Sequence, residues 1–374
     1  MIKELKKLVR PNLFKISPYI PGKSKEEICG EFNLQKDAVI KMASNENDLG
    51  VPDFITKTIR ECLDEIYLYP EGCGKEVCKK LGHLWGISPD NFILGNGCDE
   101  IISMICETFL NPGEEVIIGN PTFSYYEIAS RISDAKCIFT PLKNYKYDLA
   151  GILETITSKT KLVFICNPNN PTGTIVTKEE VDKFLLLLPD HVIAIFDEAY
   201  AEYVDDPNFP NSVEYIKGDT EKNVIILRTF SKVYSLAGLR IGYGIASNEI
   251  IKYLNLVRKP FNVNRLAQHA ALISLEHKEW LDKSRKMVFD GKEYLYKHLD
   301  KLGLRYIPTQ ANFLLVELGA NAKIISDKLL ACGIIVRPTA SFGLPDFIRV
   351  TIGTKEHNKR FIEALEKNSN IFSI

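Results

Sequence analysis

From about residue 90 onward, short near-continuous apolar runs alternate with longer segments in which apolar positions recur at helical spacing. Residues 92–94, 115–118, 161–165, 192–196, 224–227 and 241–246 read as strands buried on both faces, because they leave no regular polar side. Residues 99–110, 123–132 and 178–188 read as helices between them. Strand and helix in alternation predict an α/β fold with a mostly parallel sheet covered by helices on both sides. Such sheets collect ligands at the carboxyl ends of their strands.

The pattern changes over residues 264–302, which are long, helical and charged, and predict a helix leaving the sheet. Beyond it a smaller α+β unit is expected, with strands at 312–317, 334–337 and 347–352 and helices at about 322–332 and 355–367. The first forty residues, broken by Pro11, Pro18, Pro21 and Gly22, read as an irregular arm. The expected division is therefore an arm over 1–40, a large α/β domain over 41–278 and a small α+β domain over 279–374. No internal repeat or low-complexity tract interrupts it.

The 374-residue length agrees, since roughly 150 residues per domain suits a large unit with a companion. Apolar residues at 45% and charged residues at 25% exclude wholesale disorder. Lys and Arg (47) balance Asp and Glu (48), so no bulk field draws the chain to nucleic acid or an anionic membrane. Any anion recognition must be local. The longest uniformly apolar stretches, 184–188 and 192–196, are far shorter than the ~20 residues a membrane helix needs, and the N-terminus lacks the apolar core of a secretory signal. Nine cysteines, an odd number without a CxxC pair, fit reduced thiols and a cytoplasmic setting. The six histidines form no metal-ligand spacing, so no metal site is expected.

Three loops carry the candidate chemistry. Asn167-Pro168-Asn169-Asn170-Pro171-Thr172-Gly173 follows the strand at 161–165; Phe196-Asp197-Glu198-Ala199-Tyr200 ends the strand at 192–196; Thr229-Phe230-Ser231-Lys232 follows the strand at 224–227 and leads to Leu236-Ala237-Gly238-Leu239-Arg240-Ile241-Gly242. Each alone is an ordinary feature: a Pro/Gly exit loop, a capping carboxylate, a Ser-Lys pair. Together they converge at the carboxyl ends of parallel strands. With eight residues from Lys232 to Arg240, the combination resembles the fold type I aminotransferases that use pyridoxal 5′-phosphate.

That resemblance implies a seven-stranded, mostly parallel sheet sandwiched by helices, a small α+β C-terminal domain, and an arm packed on the small domain. It assigns Lys232 the covalent hold on the cofactor aldehyde and the later proton transfer, tasks that require a primary amine. Asp197 would keep the pyridine nitrogen protonated, and Asn170 and Tyr200 would bond the phenolic oxygen. Thr229, Ser231, Arg240 and the helix start Gly97-Cys98-Asp99 would hold the phosphate. Relatives often carry Ser at position 98, and a thiol donates weakly, so Cys98 is expected to act through its backbone N–H. Phe123, in Asn120-Pro121-Thr122-Phe123, would stack on the pyridine, and Tyr69, in Tyr69-Pro70-Glu71-Gly72, would reach the phosphate of a neighbouring subunit. A homodimer with shared sites follows from that resemblance.

Further segments resemble the histidinol-phosphate aminotransferase branch: Ala43-Ser44-Asn45-Glu46-Asn47, Lys259-Pro260-Phe261-Asn262-Val263-Asn264, Gln310-Ala311-Asn312-Phe313, Val336-Arg337-Pro338, Phe342-Gly343-Leu344-Pro345 and Ile348-Arg349-Val350-Thr351. That branch usually has Pro where this chain has Asp48. By resemblance Arg337 and Arg349 would take the phosphate of histidinol phosphate and then a carboxylate of 2-oxoglutarate, with Asn47 and Tyr19 also at the substrate. A ping-pong cycle yielding imidazole acetol phosphate and glutamate is implied. Alternatives are an aromatic amino acid aminotransferase and, in another reaction class, a phosphothreonine decarboxylase. A DNA-binding regulator is disfavoured by a Pro-interrupted N-terminus and near-neutral charge.

Overall fold

The computed structural model describes residues 2–18, 22–217 and 222–368. Its centre is a seven-stranded sheet of β2 (Phe92–Gly95), β3 (Glu115–Asn120), β4 (Lys136–Pro141), β5 (Thr160–Cys166), β6 (Ile193–Asp197), β7 (Asn223–Thr229) and β8 (Gly242–Ala246), while β1 (Ile40–Lys41) lies outside it. The strand order is β2-β8-β7-β6-β5-β3-β4. β8 alone runs in the direction opposite to the other six strands. β6 is buried at every position and β7 at all but its first, as a parallel sheet covered on both faces requires.

Of these seven sheet strands, β4 is the one the periodicity did not predict. It sits at the sheet edge with only Thr140 of its six residues fully buried, so Lys136 and Pro141 are tolerated and its apolar run shrinks to Cys137-Ile138-Phe139.

Residues 264–302 form two helices rather than one. Arg265–Ser274 ends before a short break at Leu275–His277, and Lys278–Lys301 then runs for 24 residues. The second helix buries Ser284, Val288, Gly291, Leu295 and Leu299, a single stripe at spacings of four, three, four and four, which leaves most of its remaining surface polar or charged. At the break, the His277 ring stacks on Phe54 at 3.8 Å.

The C-terminal portion contributes β9 (Tyr306–Ile307), β10 (Phe313–Glu317), β11 (Ile334–Ile335), β12 (Arg337–Pro338) and β13 (Phe347–Thr351). β12-β13-β10-β9 form an antiparallel sheet, and β11 pairs in parallel with β1. The helices Ala322–Ala331 and Lys355–Glu366 fall within a residue of their expected bounds.

Among the described residues of the first forty, regular structure is more extensive than the prolines suggest. Ser24 and Glu27 form a capping box that starts the helix Lys25–Phe32, and Asn33 in the left-handed conformation ends it. Ile28 and Val39 pack with Ala43 and Ile335, tying this stretch to the C-terminal portion. Asn12 instead donates to the carbonyls of Arg131 and Ile132, at the end of a helix beside the large sheet. Among the described residues, no helix is long and apolar enough to cross a membrane.

Candidate active site

β7, β6 and β5 are adjacent and parallel, so the three chemistry-bearing loops leave the sheet side by side. In the loop after β5, two asparagines are consumed by the fold. Asn167 exchanges hydrogen bonds with the Val176 backbone at 3.2 and 3.0 Å, and Asn169 accepts from Thr122 at 2.7 Å and donates to the Pro121 carbonyl. Asn170 is left facing a cavity of about 130 Å³, lined also by Ser44, Asn45, Phe123, Tyr200, Lys232, Arg337 and Arg349.

The Lys232 amine enters this cavity, donating to the Ser44 carbonyl at 3.2 Å and lying 5.5 Å from the centre of the Tyr200 ring. Burial, with the neighbouring charges of Arg349 and Arg240, lowers its pKa to about 8. Tyr200 accepts from the Asn45 amide at 3.0 Å, and burial pushes its phenol well above the ordinary range.

Asp197 ends β6 almost fully buried. Oδ2 accepts from the Tyr126 hydroxyl at 2.5 Å and Oδ1 from the Ala199 N–H at 3.1 Å. Burial pushes its pKa up to about 6. Among the described residues it takes part in no ion pair, so the site holds a buried carboxylate whose charge would be stabilised by an incoming cation.

Beside it, the helix Cys98–Phe109 begins without a side-chain cap, after Gly97 at φ +79°. The Cys98 thiol points into the sheet and donates to the Arg228 carbonyl at 3.2 Å, leaving only its backbone for the helix mouth. Burial raises that thiol's pKa well above its ordinary value. The Arg240 guanidinium lies over Gly97 and pairs with Asp99 at 3.1 Å. Thr229 and Ser231 are buried at the end of β7, with the Ser231 N–H donating to the Thr229 hydroxyl at 3.0 Å.

These groups fit pyridoxal 5′-phosphate by their chemistry. Uncapped helix N–H groups, two hydroxyls and a guanidinium form one anion-binding end, the unpaired Asp197 carboxylate suits a protonated ring nitrogen, and a partly neutral amine suits an aldehyde.

At the opposite end, Arg337 and Arg349 are directly opposed residues of β12 and β13, so their side chains share a face. Arg349 is buried, donates to the Ala43 carbonyl at 2.6 Å and to Asn170 Oδ1, and lies over Phe313 at 5.3 Å. Both guanidinium groups stand 6.0 Å from the centre of the Phe342 ring, within reach of its π face.

Two of the candidates lie elsewhere. Asn47 donates to the Val233 carbonyl at 3.0 Å and to Ser284 at 2.8 Å, bracing the chain after Lys232 instead of lining the cavity. Tyr69 is 78% exposed and stacks on Phe261 at 4.6 Å, away from its own chain's cavity. Tyr19 lies outside the described residues.

Sequence reasoning passed over Asn45, Tyr126, Phe313 and Phe342. Asn45 belongs to the same motif as Asn47, but its left-handed φ of +56° gives no sequence signal of which asparagine faces inward. Tyr126 follows Phe123 by three residues, which in the helix expected over 123–132 would put both on one face, although the helix itself begins at Tyr125.

Residues 37–365 match the family model for aminotransferase class I and II. A histidinol-phosphate aminotransferase of Moorella thermoacetica is 47% identical over 358 residues, covering 96% of this chain and 92% of the relative. Another of that name, from Caldicellulosiruptor saccharolyticus, is 44% identical, covering 94% of this chain and 97% of the relative. Among solved structures, the histidinol-phosphate aminotransferase of Sinorhizobium meliloti in complex with pyridoxal-5′-phosphate superposes with a TM-score of 0.87 at 24% identity, covering 97% of each chain. That of Clostridium acetobutylicum gives 0.81 at 28% identity, covering 89% of this chain and 99% of the other.

Proposed function

The chain belongs to the class I and II aminotransferases, and from that premise we propose that it moves the amino group of histidinol phosphate to 2-oxoglutarate with pyridoxal 5′-phosphate as cofactor. The observation that carries this is one cavity lined at once by the Lys232 amine and by the paired guanidinium groups of Arg337 and Arg349. An amine-bearing substrate with an oxyanion at its far end is what such a cavity selects.

When bound, the cofactor supplies an aldehyde that takes up the amino group and a protonated ring that spreads the electron pair left when the α-proton departs. Lys232 holds the cofactor until the donor replaces it, and its freed Nζ then accepts the α-proton and gives it up again within the same cavity. The Asp197 carboxylate would keep the ring nitrogen protonated, while Asn170 and Tyr200 would bond the phenolic oxygen. Gly97, Cys98 and Asp99, through backbone N–H groups, and Thr229, Ser231 and Arg240 hold the phosphate. Phe123 covers the ring face. Arg337 and Arg349 take the phosphate of histidinol phosphate in one half-reaction and a carboxylate of 2-oxoglutarate in the other, which makes the cycle ping-pong.

A homodimer with shared sites completes the proposal. Ile66, Tyr67 and Tyr69 are 64%, 82% and 78% exposed, a run of large apolar side chains that calls for cover, and Tyr69 is the residue assigned to the neighbouring subunit's phosphate. All nine cysteines are free thiols, in keeping with a cytoplasmic setting.

Histidinol phosphate alone, added to the cofactor-loaded protein, is expected to abolish the visible absorbance of the lysine-bound cofactor, and 2-oxoglutarate to restore it. Carbon dioxide release from phosphothreonine, with no response to histidinol phosphate, would overturn the proposal.

A further inference from the structure

The Tyr126 phenol lies beneath the cavity and is fixed on every side. Its residue is fully buried, its ring lies flat on Phe164 of β5 at 4.7 Å and 7°, and Phe123 meets it edge-on at 5.5 Å and 84°. So held, its hydroxyl donates to Asp197 Oδ2 at 2.5 Å, the one side-chain hydrogen bond the carboxylate receives among the described residues. The ionisable groups facing the pair are Lys232 across the cavity, Cys98 and Asp99 at the helix start, Cys166 at the end of β5, Tyr147 and Tyr200. Of these only Lys232 carries a charge that favours the carboxylate, and Asp99 opposes it.

We propose that Tyr126 is a positioning residue that decides on which side the proton between Asp197 and the cofactor's ring nitrogen resides; this rests on the reading in which Asp197 faces that nitrogen. A hydrogen bond donated to a carboxylate favours its charged form and makes it a weaker base, which leaves the proton on nitrogen. Without the phenol the carboxylate is the stronger base, and the proton passes from nitrogen to Oδ with none gained or lost by the site. The ring then loses the positive charge that makes it an electron sink. Burial and the adjacent Asp197 raise the phenol's own pKa far above its ordinary value, so Tyr126 remains a donor throughout the working range of pH.

Cofactor labelled with nitrogen-15 in its ring, bound to the wild type, to Tyr126→Phe and to Asp197→Asn, reports ring protonation through its chemical shift without any turnover. In Tyr126→Phe, which keeps both ring contacts, the resonance is expected to move toward the unprotonated position, with the protonated-to-unprotonated ratio falling by about tenfold or more, the worth of a hydrogen bond to a charged group. In Asp197→Asn it is expected to reach the unprotonated position. An unchanged shift in Tyr126→Phe beside a moved one in Asp197→Asn overturns the role of Tyr126. No movement in either overturns the placement of Asp197 against the nitrogen, and the inference with it. Failure of Tyr126→Phe to retain saturating cofactor also counts against it, because the groups assigned to the phosphate are untouched.

Discussion

Lys232 is a nucleophile only when neutral, and its surroundings raise the neutral fraction. At pH 7 an amine of pKa about 8 is about 10% neutral, against about 0.03% for an ordinary lysine. A lowered pKa means that reactivity rises with pH and levels off above the shifted value. The rate at which cofactor-free protein captures pyridoxal phosphate is therefore expected to climb to a plateau with a midpoint near 8; a midpoint near 10 would show that burial and the two arginines do not act on the amine. Lys232→Ala should abolish turnover yet retain noncovalent cofactor. At the phosphate end, Gly97→Ala forces a side chain into a conformation that favours glycine and into the Arg240 guanidinium, a strain of about 1–3 kcal/mol. Its cofactor dissociation constant should rise about tenfold or more by equilibrium titration, and an unchanged constant would remove Arg240 and Gly97 from the cradle. The residues named here were legible because they sit in contiguous motifs. Tyr126 was not, since its role arises from a contact across 71 positions of sequence, and only its i+3 relation to Phe123 hinted at it.

Among elements, the ends of β6 and β7 are joined by one buried guanidinium. Arg228 pairs with Glu198 at 2.6 Å and Glu202 at 3.2 Å, lies over the Trp85 ring at 5.0 Å, and offers its carbonyl to Cys98. Burial raises both carboxyl pKa values from the ordinary range, with Arg228 acting against the rise. Removing the cation alone strands two buried carboxylates, so Arg228→Met is expected to cost about 3–5 kcal/mol in urea unfolding. Adding Glu198→Gln and Glu202→Gln should return most of that loss. A cost below about 1 kcal/mol for Arg228→Met would mean the two strand ends are held by packing alone. Buried strands such as β5, β6 and β7 were readable because burial on both faces writes itself as an apolar run. β4 escaped because an edge strand is under no such constraint, and the break at Leu275–His277 escaped because both flanking helices keep the same spacing.

Over the whole molecule, the site is assembled from distant parts of the chain. Asp48, where the related branch usually has Pro, accepts from the Thr354 N–H at 2.7 Å and pairs with His357 at 2.5 Å. The departure thus ties the segment carrying Ser44 and Asn45 to the start of the last helix, a long-range contact that no local pattern announces. Tyr69 belongs to this scale as well. If it serves the adjoining subunit, a mixture of Lys232→Ala and Tyr69→Ala chains refolded together should exceed the mean activity of the separate parents, because hybrid dimers regain one intact site. Activity equal to that mean would confine each site to a single chain.

The substrate claim rests on Arg337 and Arg349 acting as the oxyanion end of the cavity. Its most direct test is kcat/KM for histidinol phosphate and for phenylalanine, measured side by side in the wild type and in Arg337→Ala. The expected result is a wild-type preference for histidinol phosphate that Arg337→Ala reduces by about tenfold or more, the worth of a charged hydrogen bond. A wild type that prefers phenylalanine, or a preference for histidinol phosphate that survives Arg337→Ala unchanged, would contradict it.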